Sequence, residues 1–145
     1  MAVTNVVIPR CESAIAQTLY ASAATTTSGS AGPFPVDFFS SAEITVAVTT
    51  CSGTLDVYVQ KLLPDGVTYD DIEHFAQWTQ GAFTTTGTYT MSFVNGGNTI
   101  NQQKAAGLAV NSVLTVHFGA YWRMLWVIAG TGGTSTFGIY GDFRA

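Results

Sequence analysis

The sequence predicts an all-β fold: a single antiparallel β-sandwich, jelly-roll-like, with an extended N-terminal arm. Three observations lead there. Apolar and polar residues alternate with a period of two in several separate stretches, as they do in half-buried strands. Breaks rich in Gly, Ser and Pro recur roughly every ten residues, the spacing of short strands joined by turns. The third is composition: 21 Thr, 10 Ser and 15 Gly stand where charge is scarce, with Asp, Glu, Lys and Arg at 10%, against about 25% in an average soluble protein. A chain of 145 residues suits one domain. We divide it into an arm, 1–12, and a sandwich, 13–145.

Taken in order, residues 1–10 are short, apolar and close on Pro9-Arg10. They read as an arm that becomes ordered by docking on a neighbour. Residues 14–27 carry Ile15 and Leu19 at helical spacing, but their β-branched tail favours a strand. Ser28 to Pro35 reads as a Gly/Ser/Pro loop. Ile44, Val46 and Val48 share one face, and Leu55, Val57 and Val59 another. With Ser52-Gly53 between them, 43–50 and 54–62 are expected to form a hairpin. Pro64-Asp65-Gly66 is a turn, Pro presetting φ and Gly supplying a positive φ. In 69–78, Ile72, Phe75 and Trp78 fit a helix, or a strand whose bulge moves Phe75 onto the face of Ile72; neighbouring strands favour the second.

Residues 82–94 form a second hairpin candidate, with Tyr89, Met91 and Phe93 on one face. The polar stretch 95–112 is long for a loop in a small domain, and such loops are often functional; 102–109 has room for one or two helical turns. Val113 to Phe118 reads as a strand. Tyr121 to Ala129 is apolar on both faces, as a central strand would be. Gly130-Thr131-Gly132-Gly133 is expected to turn the chain, and 136–143 to return as the last strand.

Composition excludes several functions. A net charge of −4 offers nothing to release phosphate counterions, so no nucleic-acid partner is expected. No run approaches the length of a membrane-spanning helix, so no membrane partner is expected. Residues 1–5 lack a basic region ahead of an apolar run, so no signal peptide is expected. Cys11 and Cys51 then read as reduced thiols, the lesser reading being a disulfide tying the arm to the 43–62 region. A neutral, Thr-rich exterior suits either a protein packed against others or an extracellular-type β domain with a Thr-rich face.

The chemistry-bearing residues are few. His74 and His117 lack metal-ligand spacing, and both read as cross-strand or surface residues. Asp65, Asp70 and Asp71 lack the spacing of a calcium loop and read as solvated turn carboxylates. The cysteines lack zinc spacing, and no nucleotide or nucleophile-elbow motif is present. No catalytic residue, metal site or cofactor is therefore expected, and the chain does not read as an enzyme. Trp78, Tyr121, Trp122, Trp126 and Tyr140 would suit a carbohydrate-binding module if Trp122 and Trp126 faced solvent; the simpler reading makes most of them core. Arg123 lies in an apolar strand and needs a partner, for which Asp56 or Asp142 is the expected choice.

Three stretches carry a resemblance. They are Leu19-Tyr-Ala-Ser-Ala-Ala-Thr-Thr-Thr-Ser-Gly; 42–75, with its Thr-Thr-Cys-Ser-Gly-Thr-Leu-Asp-Val-Tyr, Pro-Asp-Gly and Tyr-Asp-Asp-Ile; and Tyr121-Trp-Arg-Met-Leu-Trp-Val-Ile-Ala-Gly-Thr followed by Ser-Thr-Phe-Gly-Ile-Tyr-Gly-Asp-Phe. In order and spacing, over about 18–145, they resemble small β-sandwich virion proteins of tailed bacteriophages, above all head decoration (cement) proteins. The resemblance implies a structural protein on the capsid exterior, made in the host cytoplasm. Its implied partners are the major capsid protein and copies of itself, a trimer being favoured. A tail or head-fibre component is the alternative within the particle. The arm, the 95–112 loop and the two cysteines have no counterpart in that pattern. Contact residues are therefore inferred from the arm, the 28–39 link and the loop: Val3, Val6, Val7, Ile8, Arg10, Phe34, Phe38, Gln102, Gln103 and Lys104.

Overall fold

A computed structural model describes residues 14–75, 77–79, 87–94, 110, 112–113 and 118–145. These residues contain strands and no helix. The strands are β1 (Ala14–Thr25), β2 (Gly29–Pro35), β3 (Ser41–Leu62), β4 (Tyr69–His74), β5 (Trp78–Thr79), β6 (Gly87–Val94), β7 (Ser112–Val113) and β8 (Tyr121–Arg144). All pairings are antiparallel. The sheet runs β1-β8-β3-β4-β7, with β2 also on β8, and β5 and β6 also on β3.

Two long strands organise the molecule. β3 and β8 pair along their whole lengths, from Ser41 opposite Arg144 to Lys61 opposite Trp122. A straight strand of 24 residues would span roughly 80 Å. Yet its two ends are bridged by 36–40. The Val36 N–H donates to the Ala120 carbonyl (2.9 Å), and the Ser40 N–H to the Arg144 carbonyl (2.7 Å). Five residues reach no more than roughly 18 Å, so β8 must double back on itself. It stacks its own halves face to face: Trp126 lies 5.7 Å from Phe137 and Trp122 6.3 Å from Phe143, centroid to centroid. The result is a sandwich folded from one sheet. The first layer is β6, residues 41–52 of β3, 134–144 of β8, and β1. The second is β7, β4, residues 54–61 of β3, 122–129 of β8, and β2, with β5 beside 54–55.

The bend explains two departures from expectation. Ser52-Gly53 and 130–133 do not close hairpins; each is the corner of a continuous strand. Both corners sit at the same level of the ladder, where Gly53 drops out of register. Gly53 (φ 90°), Gly130 (φ 100°) and Gly132 (φ 67°) hold conformations that side chains disfavour. Gly53 and Gly130 are also in near contact, since a Cβ on Gly130 would lie 3.1 Å from the Gly53 Cα. The Ser52 hydroxyl stitches the corner, accepting from the Thr134 N–H (2.9 Å) and donating to the Thr134 carbonyl (3.2 Å). Bulges and bends of this kind let a strand pass from one layer to the next.

A third departure lies at 28–35, read as a loop. Its backbone pairs as β2 with Trp126–Tyr121 of β8. Gly29 permits this by admitting the Trp126 ring, which a Cβ would approach to 2.9 Å. The strand expected over 14–27 forms as β1, and 69–74 form β4 rather than a helix. A bulge at Ile72 puts both Ile72 and Phe75 in the core, since Gln60 pairs with Asp71 while Val59 pairs with Glu73. The Pro-Asp-Gly turn forms as read: Asp65 Oδ1 accepts from the Val67 and Thr68 N–H groups at 2.9 and 2.8 Å. The hydrogen bond from the Thr68 hydroxyl, and then those from the Thr68 and Val67 N–H groups, hold its carboxyl below the usual carboxylate range. The arm 1–12, residues 82–86 of the second hairpin candidate, His117 and most of the 95–112 loop lie outside the described residues.

The core is the stack of inward rows. Ile44, Val46 and Val48 face Leu55, Val57 and Val59 within β3; Phe137, Ile139 and Phe143 face Trp122, Met124 and Trp126 within β8. Leu19, Val36, Phe39, Ile72, Phe75, Trp78 and Phe118 are buried with these rows. The Trp122 indole N–H donates to the Phe118 carbonyl (2.8 Å), and that of Trp126 to the Thr27 carbonyl (3.1 Å), so these rings are buried without an orphaned donor.

Candidate interaction surfaces

The outward positions of the two layers differ in character. On the first layer, register places Ala16, Asp142, Glu43 and Ser92 in one row, and Thr18, Tyr140, Thr45 and Thr90 in the next. Thr49, Thr50 and Thr136 extend the hydroxyl surface toward the corner. Thr45 and Thr90 share a hydrogen bond of 3.0 Å, and the Ser92 hydroxyl donates to Glu43 (3.3 Å). A shallow groove of about 260 Å³ runs between the rows, lined in part by Thr18, Glu43, Thr45, Tyr140 and Asp142. Tyr140 lies along the surface over Gly138, where a Cβ would meet its hydroxyl. This is the Thr-rich face anticipated from composition.

The outward side of the second layer is a closed polar network. Arg123 does not pair with Asp56 or Asp142, as expected. Its Nε–H donates to Gln60 Oε1 (2.7 Å), and its guanidinium lies 3.9 Å above the Tyr69 ring. Gln60 in turn donates to Asp71 (2.6 Å). Register decides this: Gln60 stands directly across from Arg123, whereas Asp56 faces Val127. Asp56 instead receives Gln77 Nε2 (2.8 Å) and lies 2.9 Å from His74 Nε2. Asp142 belongs to the other layer and pairs with Arg144 (3.2 Å). His74 has the cross-strand role expected of it, stacked 4.1 Å from Tyr58, its neighbour on β3. Gln60, Asp71 and His74 are buried. Burial, then the charges of Asp56 and Asp71, push the Tyr58 hydroxyl pKa up.

One group was not singled out by the sequence. Glu73 points inward, opposite Val59 on β3, with no accessible surface. Neither carboxylate oxygen has a hydrogen-bond partner among the described residues. Burial raises its pKa from 4.5 to about 8. The Ile72 bulge is what turns it inward, and one sequence gives no sign of where a bulge falls.

The expected contact residues divide. Phe34 packs against the core, whereas Phe38 is 57% exposed beside Phe39, at the end of the sandwich where 36–40 crosses. Val3, Val6, Val7, Ile8, Arg10, Gln102, Gln103 and Lys104 lie outside the described residues. Trp78, Trp122 and Trp126 are buried, so the tryptophan platform a carbohydrate module would need is absent; of the five aromatics considered, Tyr121 and Tyr140 are exposed. Cys51 is a free, buried thiol held between the Trp78 carbonyl and the Ser135 hydroxyl. Among the described residues no group of His, Cys, Asp and Glu is arranged to hold a metal ion.

No protein-family model matches the sequence, and no curated protein does. Among solved structures the chain is similar to the SPBc2 prophage-derived protein YomS. They share 16% identity with a TM-score of 0.43, over 97% of this chain and 100% of that one.

Proposed function

We propose that the chain is a non-enzymatic structural protein of a phage particle, a decoration protein that binds the outside of the capsid lattice and stabilises the shell. The observation that carries this reading is the first layer's outward face. It offers a broad array of hydroxyls, chiefly of Thr18, Thr45, Thr49, Thr50, Thr90 and Tyr140, with charge gathered at one end in Glu43, Asp142 and the Arg144 paired with it. Such a surface is buried against another protein with little cost for stripping water from charges. The sequence resemblance to virion proteins supports the same reading. A protein that binds the assembled lattice and not free subunits stabilises the lattice by mass action. The major capsid protein and further copies of this chain are the partners so implied.

The test is copy number in purified particles, by quantitative mass spectrometry against the major capsid protein. A fixed, simple ratio to that protein is expected. A handful of copies per particle would move the chain to the tail or fibres, and absence would overturn the structural reading.

A further inference from the structure

The two strands that flank β8 on its outer side are built differently. β2 carries Pro33 and Pro35, residues that lack the N–H an added strand would need. β1 has neither proline nor charge in its twelve residues, Ala-Ile-Ala-Gln-Thr-Leu-Tyr-Ala-Ser-Ala-Ala-Thr. It pairs with β8 on one side and with no described strand on the other. Consecutive residues 16–18 and 21–24 are exposed, so both faces of β1 are open beside the edge that no described strand covers. Soluble proteins ordinarily block such an edge with Lys, Pro, an inward charge or shortness. β1 uses none of these; its bulges, between Thr18 and Tyr20 and between Tyr20 and Ala23, leave 14–18 in unbroken register.

We infer that the 14–18 edge of β1 pairs antiparallel with the same edge of a second copy, joining two first layers into one continuous sheet. A two-fold axis at Ala16 sets each Ala16 against its mate, and a methyl group there allows close approach. The absence of charge selects this occupant. A foreign partner would have no charge on the strand to steer or select it, whereas a two-fold mate needs only that the strand match itself. Self-repulsion is small despite the net charge. Among the described residues the nearest acid is Asp142, one strand in and opposite Ala16; its mate across the axis is three strand spacings away, about 14 Å. That exceeds the Debye length of about 8 Å at physiological salt. An edge of five residues buries little area, so the dimer is a weak one. On a lattice the contact would be strengthened by each copy's other attachments. The inference concerns a two-fold contact, not the trimer favoured by resemblance, and does not depend on the capsid reading.

Sedimentation velocity of the full chain, up to about 500 μM, tests it, together with Ala16→Lys and Ala16→Glu. The wild type should show concentration-dependent dimer. Each variant should dimerise at least about fivefold more weakly, because like charges then stand directly opposite. Mixing the two variants should restore a 1:1 heterodimer, a rescue that general destabilisation cannot produce. Circular dichroism should confirm that both variants keep the wild-type strand signal. A monomeric wild type across the range, dimerisation unaffected by either charge, or a mixture no better than its components would each overturn the inference.

Discussion

Glu73 puts a carboxyl where no described group stabilises its charge. Its folded pKa, raised to about 8 from 4.5, means that the folded state keeps the proton while the unfolded chain loses it. Between those two values stability therefore falls as pH rises, by at most about 1.4 kcal/mol per unit. Below them both states are protonated, and above them both are ionised, so the curve flattens at each end. Chemical denaturation at pH 5 and pH 8 should show the protein more stable at pH 5, and Glu73→Gln should remove most of that difference. Arg123 makes a different point. Replacing it with Ala strips Gln60 Oε1 of its donor and Tyr69 of its cation, and should cost about 1–3 kcal/mol, read from denaturant midpoints at an unchanged slope. That Arg123 needed a partner was legible in its apolar surroundings. The partner was not, because identity follows register, and the neutral Gln60 won over two carboxylates by standing across the ladder. Glu73 was hidden for a related reason: one extra residue in a strand reverses the faces of those that follow it.

At the scale of elements, alternation located the strands well. Ile44, Val46 and Val48, Leu55, Val57 and Val59, and Trp122, Met124 and Trp126 all point inward as their spacing foretold. What glycine meant was not legible. A hairpin turn and a strand corner both need positive φ and small residues, and a local pattern does not say whether the chain returns beside itself or folds over itself. The choice was made by the partner strand, whose own corner falls at the same level. Gly53→Ala tests the corner, since a Cβ there would strike the Ala129 carbonyl oxygen at a φ that Ala disfavours. We expect a loss of at least about 1–3 kcal/mol, seen as a lower melting temperature. Gly66→Ala is the control: its Cβ would meet nothing within 4 Å, although its φ is also positive (78°). It should pay only the backbone penalty and lose less.

For the molecule as a whole, scarcity of charge is the dominant property. With a pI near 4.7, the protein should be least soluble close to that pH, where little net repulsion remains between copies. The arm belongs to this scale too. If it is a capsid contact, deleting residues 1–12 should weaken particle binding in a pelleting assay and leave the melting temperature unchanged; loss of the fold on deletion would refute the division into arm and sandwich.

β8 is synthesised after every other described strand, and it is the one against which β1, β2 and the length of β3 hydrogen-bond. From Ala14 to Tyr121 is roughly 100 residues of chain, or about 5–20 s of translation. Through that interval β1 and β2 exist as uncharged, strand-forming segments with no strand of their own sheet to join. The pairings of β3 with β4, β5 and β6 can form behind the ribosome, but β1 and β2 must wait for β8, and the two layers close only then. A nascent chain halted before residue 121 would carry most of the core residues and none of the strand that gathers them. Its hazard in the cell is then the exposure of β1 to other nascent copies, and the uncharged edge that suits a dimer is, for those seconds, a route to aggregation.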